Sequence, residues 1–132
     1  MKEGEFIYAK THAEFLNKAF GTNYKAWMKS AWKYNDEWYV WMVRFNKKDG
    51  GWKNTFVSNS CIKQENLNGV KQHDGLPMSL VAKKFKNRIT FEIDESGPYR
   101  KYVFRGLYVY DDVKSDAYGD QYFNKSSNEF LP

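Results

Sequence analysis

A chain of 132 residues, 42% hydrophobic and 28% charged, is one domain's worth of sequence, long enough to bury most of its unfolded surface in one core; residues 1–132 are read as a single domain. Lysine and arginine number 21 against 16 acids, a net charge of +5; the longest uncharged apolar run, Trp38 to Val43, is far too short to cross a bilayer, and the acidic start Met1-Lys2-Glu3-Gly4-Glu5 lacks a signal-peptide core. The single cysteine, Cys61, excludes an internal disulfide framework and a Cys-rich zinc site, two isolated histidines argue against a His-rich one, and the expected setting is a reducing cytoplasm with no metal and no cofactor.

In chain order, Thr11 followed by Glu14 is a capping box. Phe15, Leu16, Ala19 and Phe20 share one face and Gly21 suits a left-handed C-cap, which predicts an amphipathic helix over residues 12–20. From Tyr24 the period changes to two: Tyr24, Ala26, Met28, Ser30 and Trp32 alternate with Lys25, Trp27, Lys29, Ala31 and Lys33, a strand pattern ended by the turn formers Asn35-Asp36. Trp38 to Phe45 is apolar on both faces, as a central strand is. A loop over residues 46–51 precedes a strand from Trp52 to Val57, and the three strands predict an antiparallel meander.

Residues 58–77, rich in Ser, Asn and Gly, are expected to be mostly loop with a short strand near Ile62, whereas Met78 to Lys86 suits a short helix or a strand equally. Arg88 to Asp94 reads as a strand, Glu95-Ser96-Gly97-Pro98 as a turn, and Tyr99 to Tyr110 as the longest strand, with a bulge or close backbone approach at Gly106. An acidic loop (Asp111, Asp112, Asp116 and Asp120) leads to a short strand over Gln121 to Asn124 and a frayed tail at Lys125 to Asn128. The sum is an α+β, β-rich fold: a small curled antiparallel sheet or barrel with one short N-terminal helix.

For catalysis the candidates are few. His12 falls in the first helical turn, where a solvated ring explains it. His73, in His73-Asp74-Gly75, suits a turn as well as a general base, and Cys61 has no basic neighbour in sequence to activate it. Glu92 and Asp94 share a strand face and have the chemistry to bind Mg²⁺ with Lys101 nearby, but a solvated acidic face accounts for the same letters. No glycine-rich phosphate loop occurs. No catalytic residue and no metal ligand is therefore nominated.

Binding has more behind it. Aromatics make up 19% of the chain, with five Trp, ten Tyr and ten Phe, more rings than a core of this size requires, and a ring surplus in a basic domain suits stacking on flat ligands or a protein interface. Phe15 through Asn35 holds Lys18, Lys25, Lys29 and Lys33 and no acid, and Gly75 through Phe91 holds Lys83, Lys84, Lys86 and Arg88 and no acid. The expected phosphate contacts are Lys25, Lys29 and Lys33 on the strand face of Trp27, Lys47, Lys48 and Lys53 around Trp52, and Arg100, Lys101 and Arg105 on the longest strand. Each of these lysines also has the ordinary reading of a solvated strand face, and Trp52 is equally suited to folding back on the core.

The strand Lys101-Tyr102-Val103-Phe104-Arg105-Gly106-Leu107-Tyr108-Val109-Tyr110 resembles a strand of PUA-like domains, the superfamily that includes SRA, EVE and ASCH modules, and Tyr39-Val40-Trp41-Met42-Val43 is compatible with a second barrel strand. The resemblance implies a curled barrel with a pocket that accepts a flipped or modified base between rings, as in the readers of bacterial modification-dependent restriction systems. The rings nominated for stacking are Trp27, Trp41, Trp52 and Tyr102. The expected function is a non-catalytic nucleic-acid-binding module, for DNA rather than RNA, free-standing or attached to an enzymatic domain. The alternatives are a protein-interaction or inhibitor module of phage or mobile-element origin, and a metal-dependent nuclease.

Overall fold

The Thr11 hydroxyl starts helix α1 (His12–Phe20), accepting from Glu14 N at 3.1 Å, and Gly21 ends it at φ 69° with its N–H on Asn17 O. The Glu14 carboxylate reaches past the cap to accept from Lys10 N at 3.1 Å, so the first turn is tied to the residue before the cap. Phe15 and Leu16 are fully buried, which fixes the face of α1 that meets the sheet. The architecture is that of a computed structural model in which residues 1–67, 72–73 and 76–131 are described.

The strands are β1 (Phe6–Tyr8), β2 (Ala31–Lys33), β3 (Tyr39–Val43), β4 (Lys48–Asp49), β5 (Trp52–Ser58), β6 (Cys61–Asn66), β7 (Gln72–His73), β8 (Leu76–Pro77), β9 (Asn87–Asp94), β10 (Lys101–Tyr110) and β11 (Gln121–Ser127), with a second helix, α2 (Met78–Lys84), between β8 and β9. The main sheet runs β2-β3-β9-β10-β11-β6-β5-β4, with β1 added to the first half of β10 and β7-β8 forming a separate ribbon. All of its pairings are antiparallel except β3 with β9, which is parallel. Beyond β3, Phe45 bridges to Asn54 of β5 and Asn46 N donates to Asn54 O at 2.8 Å. That bridge brings the two ends of the sheet together, so the sheet curls almost into a barrel.

Curling gives the sheet two apolar faces. Val40 and Met42 of β3, with Ile89, Phe91, Ile93, Tyr102 and Phe104, pack under α1; Trp41 and Val43, with Phe45, Ile62, Ala82, Tyr108 and Phe123, fill the inner face. Strand β10 serves both through a bulge. Its register against β9 shifts between Phe104 and Gly106, so even-numbered Tyr102 and Phe104 face the helix while even-numbered Tyr108 faces inward and Leu107 packs toward the helix side. Gly106 stands at φ 121°, and a Cβ there would lie 2.8 Å from Ser127 O, so the expected break at this glycine is both a turned strand and a close backbone approach.

Several expectations are corrected. Residues 22–30 form no strand: the Asn17 side chain accepts from Thr22 Oγ1 and Tyr24 N and donates to Tyr24 O, at 2.7–2.9 Å, holding the backbone against α1 instead of a ladder. The meander is absent, because β3 gives one edge to β2 and the other to β9 while β5 turns back onto β6. The middle is more ordered than expected: β6 spans six residues and residues 78–84 are helical, so the described residues hold two helices and not one. The expected frayed tail continues β11 to Ser127 along β10. The loop expected around residues 68–71 and 74–75, and the His73 side chain, lie outside the described residues.

Candidate nucleic-acid interface

The inner face of the curled sheet opens into a cleft with two compartments that share Ser30, Trp41, Trp52 and Gln64. The larger, about 460 Å³, is bounded by Lys29, Tyr39, Arg88 and Gln121 and by Met78, Val81, Ala82 and Phe85 of α2 and its C-terminal end. The smaller, about 340 Å³, is bounded by His12, Met28, Arg44, Asp49, Gly50 and Asn54. Trp41 and Trp52 both line each compartment. The strand period explains the placement: Trp52 and Asn54 alternate with Lys53 on β5, and Asp49, opposite Trp52, alternates with Lys48 on β4.

Three polar side chains set the chemistry. Asn54 is 6% exposed and its Oδ1 has no hydrogen-bond partner among the described residues. Arg88 is 5% exposed, with its guanidinium carbon 4.3 Å from the Trp41 ring centre and 3.8 Å from that of Phe123, and its Nε donates to Phe85 O at 2.7 Å. Burial pulls its pKa down to about 9, which leaves it charged at neutral pH. Gln121 is fully buried but satisfied: it donates to Asp116 O and Gly119 O and accepts from Tyr110 OH. At the α1 end, His12 Nδ1 lies 2.7 Å from Tyr102 OH, and burial, with Arg44 and Arg100 adding to it, holds the histidine below its ordinary pKa.

The sequence-predicted residues separate into groups. Trp41, Trp52 and Lys29 line the cleft. Trp27 does not; it packs beside the α1 cluster with Tyr24 at 5.0 Å, and with no strand over residues 22–30 it shares no strand face with Lys25, Lys29 and Lys33. Tyr102 is fully buried and stacked on Phe15 at 4.3 Å, so no base has access to its ring. Lys48 and Lys53 pair across the β4–β5 hairpin on the face opposite Trp52, with Lys47 exposed just before them. Lys33 is paired with Asp36, Arg100 with Glu95, and Arg105 with Glu92 while lying over Phe56. Lys101 lies over the Phe6 ring beside β1, and Lys25 is exposed on the 22–30 segment.

The carboxylates of the nuclease alternative are also engaged: Glu92 with Arg105, Asp94 with Ser96 N and Oγ. Among the described residues no three His, Cys, Asp or Glu side chains gather as a metal site, and none of the helices is long and apolar enough to span a membrane. Cys61 is buried, and burial pushes its thiol up, away from thiolate chemistry. Sequence reasoning did not single out Asn54, Asp49 or Gln64, and it counted Arg88 only as one cation in a basic run. The available signal for Arg88 was the alternation Arg88-Ile89-Thr90-Phe91, which puts the arginine on the face opposite two core residues.

A β-rich sheet curled around an inner cleft, with α1 on its outer face and a bulged aromatic strand through its centre, is a PUA-like fold. Within that class, the family model of the SRA domain (SET and RING associated domain) matches residues 2–131, and the chain belongs to the SRA family. Among solved structures it is similar to the 5-hydroxymethylcytosine-specific restriction enzyme AbaSI, with a TM-score of 0.68 at 20% identity over 96% of this chain and 40% of that one. At that identity the likeness is one of fold, and the chain spans about two fifths of the AbaSI chain. No curated protein gives a match. Family membership makes the chain a DNA-binding module of the modified-base-reading class.

Proposed function

We propose that the chain recognises a modified cytosine flipped out of duplex DNA into the cleft between Trp41 and Trp52. The observation that carries this reading is Asn54: a buried carbonyl oxygen without a donor among the described residues, on a residue that lines a space shared with two tryptophans. An unsatisfied buried acceptor costs roughly 1–3 kcal/mol, which an N–H or O–H donor on a ligand returns. The Asp49 carboxylate lines the same compartment, so the edge presented is rich in acceptors and suits the exocyclic amino group of cytosine. The specificity in the name of AbaSI directs attention to a 5-hydroxymethyl group as the first modification to test. Lys29 at the rim and Lys25 on the same segment, with Lys47, Lys48 and Lys53 on the neighbouring hairpin, take phosphates and contribute affinity without sequence information.

Tryptophan fluorescence tests this directly. Duplexes identical except for one cytosine, methylcytosine or hydroxymethylcytosine are titrated at low salt; quenching is expected, strongest with a modified base, and Asn54→Ala is expected to lose about tenfold in affinity for it, equivalent to about 1.4 kcal/mol. Absence of quenching with every duplex contradicts the reading. The protein-interaction alternative keeps one observation of its own: Phe6, Tyr8 and Tyr99 are 47%, 47% and 70% exposed and touch edge to face beside β1. Recovery of one stoichiometric protein partner after nuclease treatment, lost on Tyr99→Ser, is the result that supports it; recovery of none counts against it.

A further inference from the structure

Arg88 is a charge without a counter-charge among the described residues. Its side chain is more than nine-tenths buried, its Nε is committed to Phe85 O, and its two terminal nitrogens make no hydrogen bond among the described residues. No carboxylate among those residues lies within ion-pair range of it; each of the other three arginines, Arg44, Arg100 and Arg105, holds a glutamate. The rings of Trp41 and Phe123 both lie against the guanidinium, and the walls beside it are Met78, Val81, Ala82 and Phe85. A planar fork of donors, held in place on an apolar floor, suits bidentate contact with an oxyanion, and the low local dielectric strengthens such a contact. Gln121, a buried amide lining the same compartment, is fully engaged elsewhere, whereas Lys29 adds a second positive charge at the rim.

We propose that the larger compartment is an oxyanion subsite with Arg88 as its floor, taking a phosphate or a carboxylate carried by or adjoining the base. The subsite itself stands on Arg88; only the source of its anion rests on the base-reading proposal above.

The test titrates the intact chain, by tryptophan fluorescence, with inorganic phosphate, deoxycytidine, dCMP and 5-carboxydeoxycytidine. A phosphate source gives dCMP about a tenfold advantage over deoxycytidine, and a carboxyl group on the base gives that advantage to 5-carboxydeoxycytidine. Either advantage is expected to vanish in Arg88→Met and to survive in part in Arg88→Lys, with melting curves reporting whether each variant folds. Should Arg88→Met not fold, the wild-type comparison alone decides. Equal binding of all four compounds, or an advantage that persists in a folded Arg88→Met, overturns the subsite. Binding of phosphate without any binding of either nucleoside sustains the subsite and counts against the base reading.

Discussion

Asn54 and Trp52 sit two residues apart on one strand face and bring different physics to the same cleft. The asparagine offers a directional acceptor, the tryptophan a flat apolar surface. Loss of the ring in Trp52→Ala is expected to weaken binding of every DNA, modified or not, by about 1–3 kcal/mol, whereas Asn54→Ala is expected to narrow the difference between modified and unmodified DNA. Parallel titrations of both variants check this split, and identical losses on all substrates would contradict it. His12 gives a second prediction at this scale. Its pKa is lowered on folding, chiefly by burial, so the unfolded chain binds the proton more readily. Its contribution to stability is present above the unfolded value of about 6.5 and is lost as pH falls from there through the folded value. The melting temperature is expected to fall between about pH 7 and 5.5, and less steeply in His12→Gln; equal slopes would exclude the histidine as the cause. From sequence His12 suited solvent, because nothing local announces a tyrosine ninety positions away.

At the scale of elements, the bulge in β10 decides which residues reach the inner face. Without the extra residue near Gly106, the even-numbered side chains would stay under α1 along the whole strand and Tyr108 would leave the inner cluster. Gly106→Ala places a Cβ against Ser127 O at a φ that L-residues rarely adopt. It is expected to destabilise the fold by at least about 1–3 kcal/mol, measured by denaturant melts, and a neutral substitution would refute this account of the glycine. This element was legible in the sequence, since one glycine amid aromatic and β-branched residues has few other meanings, and so was α1, whose caps and apolar face are all local. The pairing of β3 with β9 was not: the two strands are far apart in the chain, and the choice between β5 and β9 as neighbour is made by burial on both faces of β3. Residues 22–30 misled for a related reason, because the alternation of rings and lysines is real while the Asn17 side chain claims the backbone.

Across the whole molecule, charge is less concentrated than the composition suggests. Lys33, Arg44, Lys63, Lys83, Arg100 and Arg105 are tied to acids, while Lys25, Lys29, Lys47, Lys48 and Lys53 have no ion-pair partner among the described residues and belong to the segments that frame the cleft. A salt slope of roughly −0.9 per phosphate contact follows for DNA binding, and Lys29→Ala is expected to reduce the slope by about one while leaving discrimination between bases intact. An unchanged slope would remove Lys29 from the interface. Of the rings nominated from the sequence, Trp41 and Trp52 line one cleft and Tyr102 is buried against Phe15 of α1, because strand period tells which face a ring takes but not whether a helix covers that face.

Base reading in this cleft requires a cytosine to leave the base stack and enter it. A duplex with 2-aminopurine beside a single hydroxymethylcytosine reports this, since the probe brightens when its neighbour unstacks. Brightening that saturates with the wild-type chain and weakens in Trp52→Ala is expected; binding with no change in probe emission would mean that the cytosine stays in the stack.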